Sequence, residues 1–182
     1  MLNRIRGFTL IELLIVVAIL GILAALLIPN AITAIQKAKQ KSTMKDITVI
    51  STAVTDFVTD NGQTPTQSGV YTAGSEFYGA LSPFYVKVLP LTDQWGNDFY
   101  AYCGTDANGK WGISGASGDD FCIASYGRDK ALGADGRSWS GFSADQPEAG
   151  LFVVSTTAHF NYDLVMWNGS WISAPRTAAA GT

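Results

Sequence analysis

From Phe8 to Ile28 the chain runs through twenty-one residues, FTLIELLIVVAILGILAALLI, of which Glu12 alone is ionisable. No other feature restricts the fold as strongly. An apolar run of about twenty residues, wound as a helix, matches the ~30 Å hydrocarbon core of a bilayer. A charged side chain there costs roughly 2.5–3.5 kcal/mol on an insertion scale, so it normally has a partner and a purpose. A secretory signal peptide would share the basic start, Arg4 and Arg6, but its apolar core is about 7–15 residues long and ends at a small-residue cleavage site. This run is longer, and it continues into NAITAIQKAKQKSTMKDITVISTAVTDFV, which still reads as helix. A plain membrane anchor explains the length but not Glu12.

The stretch RGFTLIELLIVVAILGILAALLIP places a short basic leader ending in Gly7 before Phe8, Thr9, Leu10, Ile11 and Glu12. It resembles the N-terminus of the type IV pilin superfamily. The resemblance implies that a prepilin peptidase cuts between Gly7 and Phe8 and methylates the new amine of Phe8. It also implies a partner for the buried acid, since Glu12 of one subunit can pair with the Phe8 amine of its neighbour. An unpaired carboxylate in a low-dielectric medium is costly and a paired one is tolerable. Glu12 is therefore expected to pin the register of subunits leaving the bilayer.

Net charge is −3, and loss of Arg4 and Arg6 with the leader takes the side chains to −5. Such a chain offers no basic face to nucleic acid. The leader arginines favour a cytoplasmic N-terminus, although Lys37, Lys39, Lys41 and Lys45 follow the apolar run on its far side and weaken that argument. Beyond Pro29 the pattern becomes amphipathic. Ile32, Ile35, Ile47, Ile50, Val54 and Phe57 recur at helical spacing and share one face. The reading is one helix from Thr9 to Thr59, bent or loosened at Pro29, with its second half covered by a globular domain.

DNGQTPTQSG punctuates the end of this helix. A short helix is expected near Ser75–Leu81. Then come short apolar runs, FYAYC, KWGI, FCIASY, LFVVST and LVMW, with Asn168-Gly169 opening a hairpin into SWI. The fold class predicted is α+β, a long N-terminal helix packed by its second half on a C-terminal antiparallel sheet. The divisions expected are a leader at 1–7, a membrane and assembly half at 8–28, an amphipathic half at 29–59, a globular domain at 60–173 and a flexible tail at 174–182.

LPLTDQWGNDFYAY, through Asp93, Trp95, Gly96 and Asn97, resembles a segment of the major pseudopilins, the principal subunits of type II secretion filaments. IASYGRDKALGADG resembles a loop of the same family through Ser125, Gly127 and Asp129, with Lys130 where the family has glycine. That resemblance implies calcium, held by Asp129, Asp135 and Asp163. Calcium takes six to eight oxygens from carboxylates and carbonyls of a flexible loop. A loop of solvated aspartates is the plainer alternative.

Cys103 and Cys122 are the only cysteines. They are either two buried thiols or a disulfide, and an exported domain favours the disulfide. Ser125, His159 and Asp163 have the residue types of a triad, but no G-x-S-x-G elbow accompanies them, and His159 reads as a surface or packing residue. Catalysis has no support in these residues.

The function expected is structural. The chain resembles a subunit of a pilus-like filament, most like the major pseudopilin of a type II secretion system. A surface type IV pilus subunit for adhesion or motility is the alternative. The resemblance implies as partners other copies of the chain, minor pilins or pseudopilins, the prepilin peptidase and an inner-membrane assembly platform. It implies a single-pass inner-membrane protein whose C-terminal domain lies in the periplasm before assembly into a periplasmic or surface filament.

Overall fold

In the computed structural model, residues 8–133 and 140–176 are described. A single helix, α1, runs from Leu10 to Asn61 and continues through Pro29. Pro29 has no N–H to give to the carbonyl of Ala25, so one helical bond is missing there. The β-branched Thr48, Thr52, Thr55 and Thr59 each bond the carbonyl four residues back, at 2.9–3.0 Å. Gly62 closes the helix in the left-handed region, φ 74°, with its N–H on the carbonyl of Val58 at 2.7 Å.

The backbone contacts divide the chain between Lys37 and Ala38. In the first unit every residue from Leu10 to Ile28 is exposed, and so are Ile32 at 49% and Ile35 at 55%. In the second unit the expected face is buried: Ile47, Ile50 and Val54 are at 0%, and Phe57 packs partly against the same core. The apolar face predicted across six positions is therefore covered only in its second half.

Strands β1 (Ser68–Val70), β2 (Tyr100–Cys103), β3 (Phe121–Ser125), β4 (Leu151–Phe152), β5 (Leu164–Trp167) and β6 (Ser170–Pro175) form one sheet in the order β1-β2-β3-β5-β6-β4. All pairs are antiparallel except β4 with β6. A short helix α2, Glu76–Leu81, is capped by Ser75, whose Oγ accepts from the N–H of Tyr78 at 3.2 Å. Asn168 (φ 46°) and Gly169 (φ 79°) make the tight turn between β5 and β6 that their sequence calls for.

Both faces of the sheet are covered. Ala101, Cys103, Phe121, Ile123, Leu164 and Met166 pack with Ile47, Ile50, Ala53 and Val54 of α1. On the other face Tyr102, Cys122, Ala124, Val165 and Ile172 pack under Ile113, Trp111 and Phe142. That double cover is why β3 is buried at all five positions and reads as continuous rather than alternating apolar sequence.

Three expectations change. KWGI is a turn, with Trp111 at φ 44° and Gly112 at φ 79°, because the chain must fold back there as a lid over the sheet. A Cβ on Gly112 would lie 2.7 Å from the nitrogen of Phe142, so only glycine fits. LFVVST supplies just the two residues of β4, and β6 extends to Pro175, into the segment expected as tail.

The third concerns the cysteines. Cys103 and Cys122 are free thiols, both buried. In the register of β2 on β3, Cys122 lies opposite Tyr102, so Cys103 points to the other face of the sheet. One thiol sits in the core under α1 and the other in the core under Trp111. Burial pushes the Cys103 thiol up to about 12, with Asp106 adding to the shift, and it raises Cys122 as well.

Candidate functional site

The sequence marks two places, the start of α1 and the loops around Asp93, Asp129 and Asp163. At the first, Thr9 precedes the first helical residue and its hydroxyl accepts the N–H of Glu12 at 3.3 Å. Glu12 Oε2 accepts in return the backbone N–H of Thr9 at 2.8 Å and the Thr9 hydroxyl at 2.7 Å. This is a reciprocal capping box, and it satisfies helix-end donors that have no intrahelical partner. Its signal, T-x-x-E, stands in the sequence as Thr9-Leu10-Ile11-Glu12. The cap turns the carboxylate back toward Phe8, which is exposed. An ionised carboxylate has about four acceptor sites, so two donors from Thr9 leave capacity for a third. Gly7 lies outside the described residues.

At the second place Asp93 is the organising group, and it is almost fully buried. Its Oδ1 accepts the N–H groups of Trp95 at 2.8 Å and Asn97 at 2.9 Å. Its Oδ2 accepts the Asn97 amide at 3.0 Å and the Ser125 hydroxyl at 2.7 Å. The Asn97 amide also donates to the carbonyl of Gly127 at 2.6 Å. The D-x-W-G-N segment is thus a bracket that ties the turn at 93–97 to the end of β3. Gln94 fastens the same turn to α1, giving its N–H to Thr43 Oγ1 at 3.2 Å and its amide to Asp46 at 3.1 Å.

From Gly127 the loop lies against residues 160–163. Arg128 donates its backbone N–H to the carbonyl of Phe160 and its Nε to Asn161 Oδ1, both at 2.9 Å. A Cβ on Gly127 would stand 2.8 Å from the carbonyl of Tyr162, which excludes any other residue. Asp163, 1% exposed, receives the Trp111 Nε1–H at 2.8 Å and the Gly133 N–H at 3.1 Å on Oδ2. Asp129 accepts the N–H of Ala131 at 3.1 Å. Trp111 meets Tyr102 and Tyr126 edge-on or tilted, and Tyr100 stacks on Tyr126 at 4.0 Å. Burial raises the phenol of Tyr126, and its hydrogen bond with Tyr102 adds to the rise.

The loop and Asp163 are therefore brought together as the sequence suggests. Their carboxylates are met by N–H donors, and among the described residues no group of three or more His, Cys, Asp or Glu is placed to hold a metal. Asp135 lies outside the described residues, so the expected calcium set is described only through Asp129 and Asp163. Trp111 is the participant that the sequence reading missed, since an indole in a glycine-rich run gives no local sign of a distant carboxylate. Ser125 and His159, which have residue types found in a triad, are each engaged elsewhere. The Ser125 hydroxyl is on Asp93, and His159 Nδ1 lies 2.8 Å from the carbonyl of Val153.

Comparison with known proteins gives two family matches. Residues 2–28 match the prokaryotic N-terminal methylation motif, and residues 30–140 match type II secretion system protein G. The second match ends before β4, β5, β6 and Asp163. Core protein G of the type II secretion system of Vibrio cholerae is 32% identical over 147 residues, covering 76% of this chain and 94% of that protein. The protein of the same name from Aeromonas hydrophila is 34% identical over 136 residues, 68% of this chain and 94% of its own length. That of Pseudomonas aeruginosa is 36% identical over 120 residues, 62% and 83% respectively. No solved structure gives a significant match.

Proposed function

The chain belongs to the type II secretion system protein G family, and from that membership we propose how its own residues serve a major pseudopilin. It is a structural subunit of a pilus-like filament that drives protein export, and the relatives favour this over a surface pilus. The observation that carries the reading is the capped carboxylate at the head of an exposed apolar helix. The span from Phe8 to Ile28 holds the subunit in the inner membrane with the following domain in the periplasm. A prepilin peptidase cuts after Gly7. The free amine of Phe8 in one subunit then becomes the third donor for Glu12 of the next, with Thr9 holding the carboxylate in position. An inner-membrane platform and minor pseudopilins complete the assembly. Mass spectrometry of the membrane-extracted protein tests this, with Phe8 as the first residue and methylated on its amine. A mature chain beginning at Asn30 or Ile32 overturns it.

Calcium enters as a second proposal. Asp129 and Asp163, with Asp135, would hold the ion, which would cross-link the loop after β3 to the segment before β5. What supports it is the docking of residues 127–133 on 160–163. Calcium at a hundredfold excess over Kd stabilises the folded domain by about 2.7 kcal/mol. The protein should therefore melt several degrees lower in chelator and recover in calcium, and Asp129→Ala should abolish that increment. Equal melting in both conditions overturns the proposal.

A further inference from the structure

The side of α1 turned away from the sheet carries two short charged stripes. Lys41 and Lys45 stand one turn apart, and so do Asp56 and Asp60; all four are exposed. At 100° per residue Lys41, Lys45 and Asp56 lie roughly opposite the buried face formed by Thr43, Ile47, Ile50 and Val54, and Asp60 lies on its flank. Neither lysine nor Asp56 has an ion-pair partner among the described residues, where the ion pair found is Arg176 with Glu148. Asp60 receives only the neutral hydroxyl of Tyr85, at 3.0 Å.

Both stripes oppose the helix that carries them. Like charges four residues apart repel on a helix surface. Asp56 and Asp60 also stand near the C-terminal end of α1, whose last turn has no basic residue, so they add to the negative pole of the macrodipole. A local conflict of this kind, with no relief among the described residues, points to relief from outside the subunit. Lys41 to Asp56 and Lys45 to Asp60 are each fifteen residues apart. One axial shift of about 22 Å between parallel helices, at 1.5 Å per residue, therefore brings both lysines level with both aspartates.

We infer that Lys41 and Lys45 of one subunit pair with Asp56 and Asp60 of a copy farther along the filament than the one joined to it by Phe8 and Glu12, whose shift is only about 6 Å, and set the stagger between those two helices. This rests on the filament reading above and deepens it by naming the second copy as the partner of these stripes. Two different patches of one surface meeting head to tail give a heterologous contact. With an axial shift of about 22 Å at each step such a contact cannot close into a ring, and so it propagates. The pairs lie at the solvent-facing side, so they select register more than they supply affinity, and salt weakens them.

The test uses the full-length chain produced with its secretion components, with sheared filaments measured by sedimentation. K41E/K45E and D56K/D60K should each lower filament yield by about tenfold, and the combined four-site swap should return it to within about twofold of the original. Phe8 at the N-terminus and unchanged circular dichroism show that the variants are processed and folded. As a second measurement, subunits carrying Lys41→Cys and Asp56→Cys, produced together, should cross-link within filaments, whereas either alone should not. Either double reversal assembling like the original overturns the inference and leaves the filament reading intact. So does a four-site swap that assembles no better than the reversals. Failure of the unaltered chain to form any filament removes both.

Discussion

Leu10–Ile28 and Gln40–Val54 belong to one helix, yet every residue of the first stretch is exposed, while the second buries Gln40, Thr43, Ile47, Ile50, Ser51, Ala53 and Val54. The first is apolar all round and the second on one side only. A helix that is apolar on every face needs a surrounding apolar medium, whereas a one-sided helix needs a single packed surface. The sheet supplies that surface to the second stretch through Ala101, Phe121, Ile123 and Leu164. The first stretch is long and apolar enough to cross a bilayer. On the filament reading proposed above, one region serves stability of the domain and the other assembly, and substitutions should separate the two.

The largest separation is expected at Glu12. Glu12→Ala removes half of the capping box and the acceptor proposed for a neighbour's Phe8 amine, so filaments should be lost in sheared fractions. The melting temperature of the folded domain should not move, because no core residue is touched. Assembly at the original level would break the division between the two regions.

The next effect lies in the other region. Ile50→Ala empties a fully buried site and should cost about 2–5 kcal/mol. At roughly 3–6 °C per kcal/mol, that lowers the melting temperature by about 6–30 °C. Ile22→Ala, the same change on the exposed stretch, should leave it unchanged. Equal shifts from the two variants, read by calorimetry, would show that the exposed stretch also stabilises the domain.

Asp93→Ala should cost about 3 kcal/mol, less than the sum of four losses of roughly 1–3 kcal/mol each, because the four donors share one carboxylate and losses within one network do not add. Its effect should fall on domain melting and on hydrogen exchange at Trp95 and Asn97 rather than on processing at Gly7.

The smallest effect concerns the thiols. Reductant should not change the melting temperature, and a thiol reagent should label Cys103 and Cys122 only after unfolding. Cys103, ordinarily near 9, is raised to about 12 in the folded state, so the folded chain holds its proton more tightly than the unfolded one. Stability from this group is full below about pH 9 and is lost as pH rises toward 12. The raised phenols of Tyr71 and Tyr126 act in the same direction. A melting temperature that falls in reductant would restore the disulfide and require a different strand register.

Much of this molecule is legible in sequence because the signals are local. An unbroken apolar run fixes a membrane-length helix, Asn-Gly fixes the β5–β6 turn, Ser75 starts α2 and Gly62 ends α1. The capping box of Thr9 and Glu12 was equally legible, being set by a three-residue spacing. What only the tertiary structure decided are matters of facing and distance. A shift of one residue in strand register moves a side chain through the sheet, so the nineteen-residue spacing of Cys103 and Cys122 is silent on whether their sulfurs can meet. The pairing of Tyr102 with Cys122 settles it by setting the thiols on opposite faces. Trp111 reaches Asp163 across fifty-two positions, and Ser125 reaches Asp93 across thirty-two. Contacts that long depend on how the loops are laid over a finished sheet, because no local propensity or periodicity encodes which distant donor a buried carboxylate will receive.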